Sequence, residues 1–274
     1  MVATSTLVVI ALNLILGLLI PAVLYLIMRK KFGANPVAFF TGCVIMFVFA
    51  FVVESMVHSL ILNGSMGKTI TGNIWLYALY GGAMAAIFEE TGRLTAFHLF
   101  LKKYRGNDGT ALIYGAGHGG FEAFYILFIG GINNLILAIT INSGNAAALT
   151  AGLSGDALLQ TEAMISQIQN ISWFVFLLSP VERIAAVILH LSLSVFAWFA
   201  VKEKKYQFFG LALLLHFLLD AVTVLLNRML SRFGTLGMLL TEIVIWVMAL
   251  GAAALAVKVW KAHKTEIVEG ISQL

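Results

Sequence analysis

Seven stretches of this chain are long and apolar enough to cross a lipid bilayer, and this constrains every other reading of it. A crossing helix needs about 20 predominantly apolar residues. Runs of that kind lie at about 6–28, 37–62, 73–101, 110–141, 172–201, 206–227 and 233–257. Backbone amides in hydrocarbon have no water to bond, so runs of this length must be helices. The expected fold is all-α: a polytopic helix bundle, with residues 1–274 as a single membrane domain. Composition agrees, since 11% of residues are charged against about 25% in ordinary soluble domains. The lone Cys43 sits in an apolar run, so no disulfide framework exists and packing is its expected role. No nucleic-acid partner is expected.

The basic residues set an orientation. Arg29, Lys30 and Lys31 follow the first run, Lys102, Lys103 and Arg105 the third, Lys202, Lys204 and Lys205 the fifth, and Lys258, Lys261 and Lys264 the seventh. The alternate connections hold only Lys68, Arg228 and Arg232. The positive-inside rule therefore predicts an outer N-terminus and a cytoplasmic C-terminus, which an odd number of crossings satisfies. Met1 to Thr6 carries no basic residue, so the first run reads as a membrane helix and not a cleaved signal. The fourth run is too long for one straight crossing, and a break is expected at Gly130, Gly131, Asn133 and Asn134, with the second part at the interface. The loop 142–171 has no Lys or Arg, and Leu158, Leu159, Met164, Ile165 and Ile168 recur at roughly helical spacing, as in a segment resting on the membrane surface. The tail after Trp260 is expected to be solvated.

An ionisable side chain at bilayer depth is costly and by default faces the bundle interior. Five runs carry such groups: Glu54 and His58; Glu89, Glu90 and Arg93 in "FEETGR"; His118 and Glu122 in "GHGGFE"; Glu182, Arg183 and His190; and His216 and Asp220 in "HFLLD". Residues four apart share a helix face, so Glu89 pairs with Arg93, His118 with Glu122, and His216 with Asp220. At 1.5 Å rise per residue, Glu89 and Glu90 lie roughly 18 Å from the cytoplasmic end of their run, His118 roughly 12 Å, His190 roughly 17 Å and His216 roughly 15 Å. Four helices thus place Glu or His in one layer of the cytoplasmic half. Glu54 and His58 fall near the outer interface and read as an interfacial couple; His98 and His263 read as outside any site.

Three readings compete for that layer. Buried acid–base pairs can simply lock helices together. Intramembrane carboxylates and histidines also serve transporters, although two similar halves are absent here. Two glutamates with three histidines also suit chemistry: a desolvated carboxylate can act as a base near neutral pH. His118, His190, His216 and Glu89 could equally ligate zinc. The HExxH and GxSxG signatures are missing, and Asp220 is the only Asp in a run, which disfavours a two-aspartate protease.

"EETGR" resembles the EExxxR motif of type II CAAX prenyl proteases and the EExxK of PrsW-like proteases. "YGAGH" resembles their aromatic-xxx-His motif, with Tyr114 in the aromatic place, and "HFLLD" resembles their HxxxB motif. With "GHGGFE" and "ERIAAVILH", the pattern over about 75–225 looks most like the YhfC family of bacterial integral membrane proteins, placed among glutamic-type, formerly metallo-type, intramembrane proteases. The resemblance implies a multi-pass protein of the bacterial cytoplasmic membrane that cleaves a membrane protein or peptide. It implies Glu89 as general base, His118 holding the water, Glu90 and Arg93 orienting the site, His216 and Asp220 on the oxyanion side, and His190 as an added site residue. Glu122, Glu182 and Arg183 would support the site. "EETGR" is one residue shorter than the CAAX motif, and Glu122 and His190 are no part of the CAAX set, so a prenylated substrate is not implied. No cofactor is required by the glutamic reading, and zinc belongs to the alternative.

Overall fold

The computed structural model describes residues 1–33 and 35–265. Ten helices follow one another, with no strand among the described residues: α1 (Thr4–Phe32), α2 (Pro36–Leu62), α3 (Gly67–Gly72), α4 (Ile74–Thr95), α5 (Gly109–Asn142), α6 (Ala146–Thr150), α7 (Gly155–Asn170), α8 (Trp173–Lys202), α9 (Gln207–Leu230) and α10 (Thr235–His263). Their starts are read from the sequence. The Asn35 side chain accepts from the Val37 amide at 2.9 Å, with Pro36 in the first turn where no donor is missed. Asn73 accepts from Trp75 and Leu76 to open α4. Among the described residues, six helices are long and apolar enough to span a membrane. The seventh expected span is α4, whose 22 residues include Glu89, Glu90 and Arg93.

Two details depart from expectation. The fourth run does not break at its glycines. It continues as one helix, taking a π-helical turn over Tyr125–Ile129 just before Gly130. An extra residue per turn absorbs local strain without opening the helix. The last helix runs on to His263, and the rest of the tail expected to be solvated lies outside the described residues beyond Thr265. The loop 142–171 does carry a helix, Gly155–Asn170.

The chain forms two compact units. The first comprises Met1–Val23 and Glu122–Ile184. Its core is Val2, Ile10, Ala138, Ile141 and Ile168. Asn142 clamps the N-terminus, accepting from the Val2 amide at 2.7 Å and donating to its carbonyl at 3.0 Å. Pro180 inside α8 has no N–H for the carbonyl four residues before it. That carbonyl, of Phe176, accepts instead from the buried Asn13 amide at 2.8 Å.

The second unit comprises Leu24–Phe121 and Ala185 onward. Its axis is the second half of α8, where every residue from Ser192 to Val201 is buried. The hydroxyls of Ser192 and Ser194 bond back to the carbonyls of Ile188 and His190, so they add no unpaired group to the interior. Outer faces of α2 and α10 present Phe40, Val44, Ile243 and Val247, as lipid-facing helices do. Where α2 crosses α5, a Cβ on Gly117 would lie 1.9 Å from the Phe39 carbonyl oxygen. At one end of this unit Asp108 gathers three donors. It accepts from the Trp198 indole at 2.8 Å, from the Lys202 ammonium and from the Thr265 amide at 2.7 Å. Burial would raise its pKa, but the Lys202 hydrogen bond, the Thr265 amide and the Trp198 indole outweigh burial and hold it below the usual carboxylate value.

Two predictions follow from this packing. Gly117→Ala is expected to lose about 1–3 kcal/mol by overpacking against rigid backbone, whereas Gly210→Ala, which meets nothing within 4 Å, gains about 0.5–1 kcal/mol; thermal unfolding in detergent checks both. A depressed folded pKa stabilises above the unfolded value and loses that stabilisation as pH falls through the folded one. Asp108 should therefore contribute fully above its ordinary value of 3.8 and progressively less below it. Asp108→Asn should remove that acid-side decline from a plot of melting temperature against pH.

Candidate active site

The centre of the second unit is built from four helices. Glu89, Glu90 and Arg93 come from α4, His118 from α5, His190 from α8, and His216 and Asp220 from α9. Their meeting depends on glycine. On α5, Gly119 faces α8, where an added Cβ would come within 3.1 Å of the His190 Cβ. On the other side Gly42 of α2 approaches so closely that its Cβ would meet the His118 amide nitrogen at 2.7 Å. His118 is thereby carried between α2 and α8 and is fully buried. Cys43, beside Gly42, donates its thiol to the Gly117 carbonyl at 3.3 Å, the packing role expected of it.

Glu89 Oε2 is the hub. It lies 3.0 Å from His118 Nε2 and 3.9 Å from both His190 Nδ1 and His216 Nε2. Glu90, the next residue, pairs with Arg93 one turn on; both are wholly buried. The same Glu90 oxygen accepts from His216 Nδ1 at 2.8 Å. Arg93 donates through Nη2 to His190 Nδ1 at 3.1 Å. His216 Nε2 also faces Asp220 Oδ2 at 3.3 Å, and Asp220 is the most exposed member, at 30% of its side chain. The His190 ring lies between the other two, its centroid 5.0 Å from His118 and 5.5 Å from His216. Glu90 Oε2 and Arg93 Nε are buried without a hydrogen-bond partner, so the cluster holds polar capacity beyond its own contacts.

All seven residues singled out from Glu89 to Asp220 as the catalytic set thus join one connected network. Glu122, Glu182 and Arg183 belong to the first unit, where Arg183 bridges Glu122 and Glu182 in an ion cluster. Glu54 and His58 pair at 3.0 Å, and His58 also reaches the Tyr80 hydroxyl at 2.8 Å. His98 is exposed, and His263 pairs with Glu203. One member was absent from the expected set. The Tyr114 hydroxyl, fully buried, lies 3.4 Å from His118 Nδ1. Its four-residue offset from His118 was the available signal.

Glu89, His118 and His190 each offer a donor atom within 4.8 Å of the others. Two imidazoles and a carboxylate are a donor set that catalytic zinc uses, with a fourth position left open. Tyr114 behind His118 and Glu90 behind His216 are partners of the sort that fix imidazole tautomers in such centres.

The class defined so far is a polytopic helical membrane protein with a buried Glu/His centre. The chain belongs to the YhfC family: the family described as YhfC intramembrane metalloprotease matches residues 16–245. It is 34% identical over 233 residues to the uncharacterized membrane protein YhfC of Bacillus subtilis (strain 168), an alignment covering 83% of this chain and 88% of that one. No solved structure matches the chain.

Removing one partner of a buried ion pair strands the other charge. Arg93→Met is expected to cost about 3–5 kcal/mol, and adding Glu90→Gln to it should recover part of that loss. Unfolding midpoints of the two variants check this; equal midpoints for Arg93→Met and wild type would remove the pair from its structural role.

Proposed function

We propose that this protein is an intramembrane endopeptidase that hydrolyses a peptide bond of a membrane-embedded protein or peptide, with Glu89 as general base. The observation that carries the reading is one carboxylate oxygen within 3.0–3.9 Å of three imidazoles, in a centre almost closed to solvent. The description of the YhfC family as intramembrane metalloproteases supports it. The core would lie within about 75–225, in the cytoplasmic half of a bacterial cytoplasmic membrane, as the distribution of lysine and arginine suggests.

In this mechanism Glu89 takes a proton from water as the water oxygen adds to the scissile carbonyl carbon. His118, bonded to Glu89 through Nε2, holds both the carboxylate and the water. Negative charge develops on the carbonyl oxygen, and a doubly protonated His216, its Nδ1–H on Glu90, would be the donor to meet it through Nε2 in place of the contact to Asp220. The proton held by Glu89 then passes to the amide nitrogen as the C–N bond breaks, leaving an amine and a carboxylic acid. Glu90 fixes His216 and Arg93 fixes His190, so neither imidazole needs to reorganise during the reaction.

A second reading is favoured by the donor set itself. Glu89, His118 and His190 would hold a metal ion such as zinc. When bound, that ion would supply Lewis-acid polarisation of the carbonyl and an acidified water. The residues are the same in both readings, but an ion held by His190 Nδ1 would have to replace the Arg93 donor there.

Glu89→Gln is expected to lower cleavage of a reconstituted membrane substrate by about 10²–10⁴-fold with folding intact; full activity would remove Glu89 from the chemistry. Tyr114→Phe, which leaves His118 without its hydroxyl partner, should cost about tenfold or more. Activity lost in chelator and restored by zinc selects the metal reading, and undiminished activity after chelation selects the glutamic one. Substrate-dependent flux into proteoliposomes with no cleavage would instead select a transporter.

A further inference from the structure

Two cavities meet where the lysine-rich ends of α1 and α10 approach the start of α5. The first, about 370 Å3, is a slot between α8 and α10. Ile188, Leu191 and Val195 line it from α8, and Ala253, Ala256 and Val257 from α10, each set at helical three- and four-residue spacing. The Ser192 hydroxyl in its wall is bonded back to the Ile188 carbonyl at 2.7 Å. The slot therefore offers a hydrocarbon surface and little else.

The second cavity, about 860 Å3, opens at the helix ends and is lined by Lys30, Lys31 and Lys264 together with Asn107 and Asp108. Asp108 does not neutralise those lysines, because its oxygens are engaged by Lys202, Trp198 and the Thr265 amide. Among the described residues, Lys30, Lys31 and Lys264 form no ion pair. Lys31, Phe32 and Trp260 line both cavities. Phe32 and Trp260 meet edge to face at 5.9 Å, an aromatic pair where the apolar slot gives way to the charged opening. Tryptophan prefers that level of a membrane.

Three ammonium groups without an ion pair among the described residues offer a place for an anion, and the slot continuing from them offers an apolar surface for an alkyl chain. We propose that this composite cavity binds one anionic phospholipid, its phosphate among Lys30, Lys31 and Lys264 and an acyl chain in the slot between α8 and α10. Basic pockets between membrane helices hold anionic headgroups by this combination of charge and shape. The site shares no residue with the Glu89 network, and its occupancy is independent of whether that network cleaves peptides.

Native mass spectrometry of the full chain in detergent tests the assignment, with dioleoylphosphatidylglycerol, dioleoylphosphatidylcholine and inorganic phosphate as probes. One phosphatidylglycerol per chain should be retained in clear preference to phosphatidylcholine. Each of Lys30→Gln, Lys31→Gln and Lys264→Gln should lower that affinity about fivefold, with Arg29 left in place. Ala253→Leu, which fills the slot without altering charge, should also reduce retention. Equal retention of the two lipids, unchanged retention in the triple glutamine variant, or displacement of the lipid by millimolar phosphate would each overturn the proposal. So would retention that appears only after residues 266–274 are deleted, since the chain's own end would then be the occupant.

Discussion

The ion pair between Glu90 and Arg93 is the contact on which the second unit depends. A guanidinium and a carboxylate removed from water are tolerated only when each satisfies the other and their remaining capacity is used. Here much of that capacity is spent on the imidazoles, although Glu90 Oε2 and Arg93 Nε form no hydrogen bond. Glu90 holds His216 from α9, and Arg93 holds His190 from α8. One turn of α4 therefore fixes side chains on two other helices. Consecutive residues on a helix point about 100° apart, so Glu89 is turned away from Glu90 and toward His118 on α5. The doublet of glutamates works because its two members face different neighbours.

Bringing four helices within reach of one carboxylate also requires thin helices. The glycines of α5 serve this. Gly117 lets α2 approach on one side and Gly119 lets α8 approach on the other, with His118 between them. A helix glycine costs about 0.5–1 kcal/mol relative to alanine, and the close contacts on both sides offset it. The helix keeps its continuity beyond this region by a π-helical turn at Tyr125–Ile129, the compromise between tight packing and unbroken backbone bonding.

Much of this was legible because membrane burial makes polar residues conspicuous. Counting residues inward from the basic ends put Glu89, Glu90, His118, His190 and His216 in one layer, and these side chains do meet. The fold class followed from the apolar runs in the same way. What spacing could not supply was partner choice between helices. Glu122 sits four residues from His118, and no spacing announces its ion pair with Arg183 in the first unit. The glycines expected to break α5 lie in regular helix just after the π turn, and no sequence signature separates that outcome from a break. The resemblance marks Tyr114 as the aromatic of "YGAGH", but not that its hydroxyl lies near His118. The Asp108 cluster draws on Trp198, Lys202 and Thr265, partners at least 90 residues away in sequence, and no local pattern announces it.

The same contacts govern how protons and cations share the centre. Arg93 can only donate, so its bond to His190 leaves Nδ1 as the acceptor and places the proton of the neutral ring on Nε2. His216 gives its Nδ1 proton to Glu90, leaving Nε2 directed at Glu89 and Asp220. Glu89, Glu90 and Asp220 set three carboxyl groups against the single guanidinium of Arg93, so full ionisation would leave a surplus of two negative charges in a medium of low polarity. Protons on the histidines or a divalent cation can each meet that surplus. A cation taking His190 through Nδ1 must displace Arg93, and through Nε2 it must displace the proton. The Arg93 contact and a cation at Nδ1 of His190 are therefore alternatives, whereas a cation at Nε2 would compete with the ring proton and not with the arginine.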